Sequence, residues 1–247
     1  MATRGALGAL FYDAERPPVR DAELRWYVQH LPRDRGNVLE VMCGSGRLLL
    51  PLLRAGYAMH GLDASQALLD ACAARVSAAH LHATLVHQEM HAVNLPFRYT
   101  AAFVAGGAFQ RLVDPVAARN ALARLRAHLV PPGVLLLDLS VPSTRAQRLG
   151  AALVEVRTAR LSDGTRIALR SETTTHAEER IARTHNRYVH RRGAARLAEE
   201  TESAAFTWYP PEEIAGLVAD SGFDSVEIGA APCEVEGVEA YAIIARV

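Results

Sequence analysis

Apolar positions along the chain follow two periods that alternate. Residues 38–41 are an apolar run interrupted only by Glu40, with Val38 and Val41 β-branched, and they read as a buried parallel strand. The chain then breaks into Cys43-Gly44-Ser45-Gly46, and residues 47–56 read as a helix ended by Gly56. A second apolar strand, residues 58–62, stops at Asp63. Ser65 is placed to cap a helix running to about residue 79, with Leu68, Leu69, Cys72 and Val76 on its apolar face. Residues 83–87 and 101–105 read as the next strands, the latter ending in Gly106-Gly107. A helix over residues 115–129 carries Ala121, Leu122, Leu125 and Leu129 at helical spacing and is stopped by Pro131-Pro132-Gly133. Residues 134–139 are the fifth strand. Strands alternating with helices predict a doubly wound, mostly parallel sheet.

The pattern changes from residue 152 to about 208. Residues 154–161 and 165–176 alternate with period two around Asp163-Gly164, a strong hairpin turn, and residues 181–190 and 197–206 continue around Arg192-Gly193. Three or four antiparallel strands follow from this, as an insertion packed over the edge of the parallel sheet. Trp208-Tyr209-Pro210-Pro211 opens a last helix, and residues 225–228 and 241–246 are two terminal strands joined by an acidic loop over 234–239 that reads as solvated. At the other end, residues 1–36 form a leading segment in which Arg16-Pro17-Pro18 breaks any helix and residues 21–31 are amphipathic, with Leu24, Tyr27, Val28 and Leu31 on one face. The division expected is residues 1–150 as lid and core, 151–208 as insertion, and 209–247 as the end of the core.

Composition narrows the partners. Half of the 247 residues are apolar, enough for a substantial core, and the formal net charge is zero, which argues against a nucleic-acid partner. All 27 basic residues are arginine, a feature of composition bias and not of function. Cys43, Cys72 and Cys233 are scattered without metal spacing and read as reduced thiols, so a cytoplasmic protein with no metal centre is expected. No apolar segment approaches a membrane span.

The chemistry starts at residues 38–47. Strand, glycine turn and helix bring backbone N–H groups and a helix N-terminus against a nucleotide ligand, and Gly44 and Gly46 let it lie close. Asp63 falls at about the spacing of a ribose-binding carboxylate. A nicotinamide dinucleotide site would need a third glycine, and that position is Leu49. Residues 38–47 with Gly61-Leu62-Asp63-Ala64-Ser65 resemble the first two motifs of class I S-adenosylmethionine-dependent methyltransferases of the small-molecule type. The resemblance implies a Rossmann-like seven-stranded sheet with an antiparallel β insertion after strand five. It places Glu40, Gly44 and Gly46 at the methionine moiety and Asp63 at the ribose, with Met42 and Ala64 also among the cofactor-binding residues. Glu89 and Met90 then meet the adenine, and Gly106 lies beside the reacting methyl group. Met42 departs from the pattern, because the family usually has glycine there, and the turn is then wider or the cofactor displaced. Phe109 and Gln110 are expected as wall and polar contact of an acceptor, with Arg187 from the insertion.

Tyr12 in the leading segment is the candidate for a tyrosine near the methyl group, with simple packing as the alternative. His185 and Tyr188 in the insertion are candidates for proton acceptance, against a surface or packing role. Strand parity puts Tyr188 and His190 on one face and Arg187 and Val189 on the other. The reading is methylation of a small polar acceptor, N- over O-, using S-adenosylmethionine. Another transferase or cyclase reaction of that cofactor, or a non-catalytic binding module, remains open, and the insertion sheet leaves room for a homodimer surface.

Overall fold

The computed structural model describes residues 5–32, 36–143, 147, 152–232 and 238–247. Five strands build the parallel part of one sheet: β1 (Asn37–Val41), β2 (Ala58–Asp63), β3 (Thr84–His87), β4 (Tyr99–Val104) and β5 (Leu129–Pro142). They are joined by α3 (Leu49–Arg54), α4 (Gln66–Ala78) and α5 (Pro115–His128), after α1 (Ala6–Glu15) and α2 (Asp21–His30). Four strands form a separate antiparallel meander, β6 (Leu153–Arg160), β7 (Arg166–His176), β8 (Ile181–Arg192) and β9 (Ala195–Thr207). The chain closes with α6 (Pro211–Asp220), β10 (Ser225–Ala230) and β11 (Val238–Arg246). The large sheet has the order β10-β11-β5-β4-β1-β2-β3, and only the β5–β11 and β10–β11 pairings are antiparallel. This is the doubly wound fold with its antiparallel insertion after β5.

Each face of the large sheet has its own core. Leu122 and Leu125 of α5 and Ile214 and Val218 of α6 cover one side, packed on Leu39, Leu135 and Ile243. Tyr27 of α2, Leu49 and Leu52 of α3 and Leu69 and Cys72 of α4 cover the other, on Val38, Phe103 and Leu136. The strand order reverses where β1 lies between β2 and β4, which opens a crevice at the carboxyl ends of these strands. Two boundaries differ from the sequence pattern. α3 starts at Leu49, not residue 47, because positive φ at Gly44 and Gly46 holds the chain out of the helix. β5 runs to Pro142 because β11 pairs with it from Val134 onward. Of the acidic loop, residues 234–237 lie outside the described residues, as does Cys233, while Val238 and Glu239 already belong to β11.

The leading segment is a helix before its proline break. Leu7 and Phe11 of α1 recur at i, i+4 and are buried against Ala159, Ile167, Leu169 and Tyr188 of the meander. The N-terminus of α1 begins at Gly5, which has no side chain to cap it. Its N–H groups at Leu7 and Gly8 donate instead to the Glu200 carboxylate of β9, at 3.0 and 3.1 Å. An acidic group there also complements the helix dipole. On the opposite side, Asp13 of α1 pairs with Arg75 of α4 at 3.3 Å. α1 is therefore clamped between the insertion and the core. Removing the cap by Glu200→Ala should cost about 1 kcal/mol. Hydrogen exchange at the Leu7 and Gly8 amides should accelerate selectively, whereas unchanged protection would show that α1 does not depend on Glu200.

Candidate functional site

A cavity of about 270 Å³ opens at the carboxyl ends of β1, β2 and β4. Its floor is the turn after β1, in which Met42, Gly44 and Gly46 take φ of 58°, 56° and 85°. Three left-handed residues in five reverse the chain sharply, and Met42 does so without glycine's freedom. The turn is held from β2. Asp63 accepts from the Gly44 N–H through Oδ2 at 2.8 Å and from the Ser65 N–H through Oδ1 at 2.9 Å. Ser65 caps α4 by accepting from the Leu68 N–H. Arg75 of α4 donates to the Ser45 hydroxyl at 2.8 Å and to its carbonyl at 3.2 Å, so one arginine holds both the turn and α1.

Glu40 lies in β1 behind this turn and lines the cavity. It is 4 % exposed, and its Oε2 has no hydrogen-bond partner among the described residues. Burial pushes its carboxyl well above the usual range, partly offset by Arg47 and Arg16. Arg47 is itself engaged by a bidentate pair with Glu23 of α2, at 2.8 and 2.5 Å. Gly106 and Gly107 line the far wall and are held from behind by Asp138 of β5, whose carboxylate accepts from the Gly106 N–H at 2.9 Å and whose carbonyl accepts from the Gly107 N–H at 3.0 Å. Burial raises the Asp138 carboxyl from 3.8 to about 6.

α1 forms the roof. Arg16 lies 4.8 Å from the centre of the Tyr12 ring, and both residues line the cavity. A Cβ built on Gly44 would come into van der Waals contact with Tyr12, at 3.6 and 3.8 Å, so the tyrosine stands directly over the glycine turn. The cavity, with the unpartnered Glu40 oxygen and the Asp63 carboxylate in its lining, fits a nucleoside-bearing cationic ligand such as S-adenosylmethionine. β9 contributes Phe206, which would lie 3.6 Å from a Cβ on Gly107.

Of the residues expected from sequence, Tyr12, Glu40, Met42, Gly44, Asp63, Ala64 and Gly106 line this one cavity. Gly46 stays in the turn but faces α4, where a Cβ would approach Cys72 Sγ to 2.8 Å. Glu89 and Met90 follow β3 without lining it; Met90 is buried in the core. Several expectations are corrected. Phe109 is fully buried against Tyr209. Gln110 spends its amide on backbone: Oε1 accepts from the Ser140 N–H, and Nε2 donates to the carbonyls of Ser140 and Thr207. It staples β9 to β5 and has no contact left for an acceptor. Tyr188 is 2 % exposed, packed on Phe11 with ring centroids 5.8 Å apart, so it seats α1. Arg187 points to the exposed outer face and pairs with Glu199 at 2.7 Å. His185, also on the outer face, lines a separate cavity of about 470 Å³ that shares only Arg111 with the first.

The sequence reading missed Arg16, Glu23, Arg75, Asp138, Glu200 and Phe206. Asp138 left a signal, as an acid within the otherwise apolar run 134–139. The others left none, because each acts through a partner distant in sequence.

Comparison with known proteins places these features in a wider group. Residues 38–133 match the family model described as a methyltransferase domain. No curated protein sequence matches the chain. Among solved structures, the CcbJ methyltransferase from Streptomyces caelestis superposes with a TM-score of 0.73 at 20 % identity, covering 99 % of this chain and 98 % of that one. The sugar N-methyltransferase KedS8 from Streptoalloteichus gives 0.71 at 19 % identity, covering 92 % and 87 %. S-adenosylmethionine-bound CalS10, an amino pentose methyltransferase from Micromonospora echinaspora, gives 0.65 at 22 % identity, covering 92 % and 89 %.

The Asp138 carboxyl sets a pH dependence. Its folded value lies above its ordinary one, so the unfolded chain ionises first as pH rises. Its contribution to stability is complete below about pH 4 and is lost as pH rises through about 6. Asp138→Asn keeps an acceptor for the Gly106 N–H and removes the buried charge. It should stabilise the protein by up to about 3 kcal/mol above neutrality, with the gain shrinking on acidification. Urea midpoints across this range check it; a gain independent of pH would contradict the assignment.

Proposed function

We propose that this S-adenosylmethionine-dependent methyltransferase, built on the class I fold, methylates an amine nitrogen of a small polar acceptor. The observation that carries the reading is the meeting of Glu40, Gly44, Asp63 and Gly106 in a single cavity beneath Tyr12. In this reading Asp63 takes the ribose hydroxyls, Glu40 the methionine ammonium, and the open face of Gly44 the cofactor backbone. Glu89 and the Met90 N–H take the adenine edge once the ligand extends past Ala64. The cofactor supplies an electrophilic methyl group. The chain positions an acceptor lone pair opposite it, and positioning alone is worth roughly 7–11 kcal/mol.

N- over O-methylation is favoured by what the cavity holds. A neutral amine needs no strong base, whereas a hydroxyl does. His185, the histidine expected for that task, faces another cavity. The likeness to a sugar N-methyltransferase and an amino pentose methyltransferase points the same way. Tyr12 of α1 and Arg16 just after it, with Phe206 from β9, exclude water from the transfer.

Calorimetric titration should show S-adenosylmethionine binding to the wild-type protein. Asp63→Ala should weaken it by about tenfold or more, as expected for lost hydrogen bonds to a charged group. Unchanged affinity would remove Asp63 from the ribose site. Incubation with paired amines and alcohols, read by mass, should give a single methyl gain on amines; methyl gain on the alcohols alone would overturn the N-methylation reading.

A further inference from the structure

The two edges of the four-stranded meander differ. β9 is fastened to β5 through Gln110, which donates to the carbonyls of Ser140 and Thr207. β6 has no strand beyond it among the described residues. An unpaired edge offers its backbone N–H and C=O groups to another chain, and proteins blunt it with short length, proline, lysine or a bulge. β6 uses none of these. It runs for 8 residues without proline or lysine, and its register with β7 is unbroken from Leu153 to Arg160. Every residue of it except Ala159 is exposed. Leu153, Val154 and Val156 are therefore large apolar side chains in solvent, Val156 to 69 %. Apolar side chains gathered along an open edge mark an interaction surface.

The order of residues in β6 is complementary to itself. Arg157 lies on the inner face, its guanidinium 5.5 Å from the centre of the Phe11 ring of α1. By alternation Leu153, Glu155 and Ala159 share that face, and Val154, Val156 and Thr158 share the outer one. With a second copy running antiparallel along this edge and a two-fold axis at Val156, each Val156 meets the other. Glu155 then lies opposite Arg157 of the second copy, once on each side of the axis. Val154 falls opposite Thr158. Leu153 falls opposite Ala159, whose apolar cluster with Leu7 and Phe11 it extends. This one register gives a partner to all three exposed apolar residues and to both central charges. Moving the axis one residue either way sets Glu155 or Arg157 against its own copy, and like charges directly opposite are unfavourable.

We propose that the protein forms a two-fold dimer by antiparallel pairing of β6 with β6 of a second copy, in the register centred on Val156. The pairing joins the two four-stranded meanders into one continuous sheet and uses up the free edge of both, so association closes at two copies. Main-chain hydrogen bonds hold the strands together, the paired charges fix the register, and the apolar side chains leave water together. A single strand pair is a small interface, so the dimer belongs to the micromolar range. No residue of β6 lines the cavity at the glycine turn, and the proposal is independent of the function proposed above.

Sedimentation velocity of the full chain should show a monomer–dimer equilibrium across the micromolar range. Val156→Lys sets two ammonium groups at the axis and should weaken the dimer by about tenfold or more. The melting curve of the dilute monomer should not change, because this side chain is exposed. Glu155→Arg and Arg157→Glu should each weaken the dimer as well, by setting like charges opposite one another. An equimolar mixture of these two variants should recover a dimer containing one copy of each, because every arginine then faces a glutamate. Mixing would not rescue variants that had merely misfolded. A wild type that stays monomeric over this range overturns the proposal and hands the edge to a different partner. A dimer that survives Val156→Lys at wild-type affinity, or charge variants that fail to recover on mixing, overturns it too, by moving the interface elsewhere.

Discussion

The site depends on the Asp63 carboxylate. The chain after β1 turns through three left-handed residues in five, one of them Met42, and such a turn has little to hold it by itself. Asp63 fixes it by accepting from Gly44 on one oxygen and from Ser65 on the other. That places the end of β1, the end of β2 and the start of α4 in one rigid unit. Arg75 extends the unit from α4 to Ser45 and to Asp13 of the roof helix. Short polar contacts thus tie the glycine turn to α4 and, through Asp13, to the roof helix. The apolar cores on both faces of the sheet supply stability but do not set this geometry.

The roof is a joint product of the two sheets. α1 rests on the meander through Phe11 and Tyr188, takes its N-terminal cap from Glu200, and reaches the core through Asp13. Gln110 fastens β9 to β5, which keeps Phe206 at the cavity edge. Two buried carboxylates with raised titration belong to this region: Glu40 lines the cavity, and Asp138 holds Gly106 from behind. Both cost stability in the free protein, and Glu40 is placed where a charged ligand can offset the cost. This is the pattern of a preorganised polar site, in which stability is given up for recognition.

Much of the large sheet was legible because its signals are local. Apolar runs of strand length, the glycines after β1 and β4, and the acid ending β2 can be read without knowing what lies opposite them. The hairpin at Asp163-Gly164 was legible for the same reason. What could not be read depends on partners far along the chain. α1 buries Leu7 and Phe11 on strands about 150 residues later, so its ten residues show little amphipathic pattern of their own. Residue type alone made Tyr188 and Gln110 look chemical. The structure gives the first a helix to pack under and the second three backbone bonds. Parity did separate Arg187 from Tyr188, yet parity cannot say which face is inward until the sheet is docked.

The central claim is that S-adenosylmethionine lies in the cavity lined by Glu40, Gly44, Asp63 and Tyr12, with its transferable methyl group near Gly106. A crystal structure with S-adenosylhomocysteine bound tests it most directly. The account predicts ribose hydroxyls on Asp63, the amino group against Glu40, and sulfur beside Gly106 beneath α1. Ligand bound in the outer cavity at His185, or in the crevice with its ribose turned away from Asp63, would contradict it.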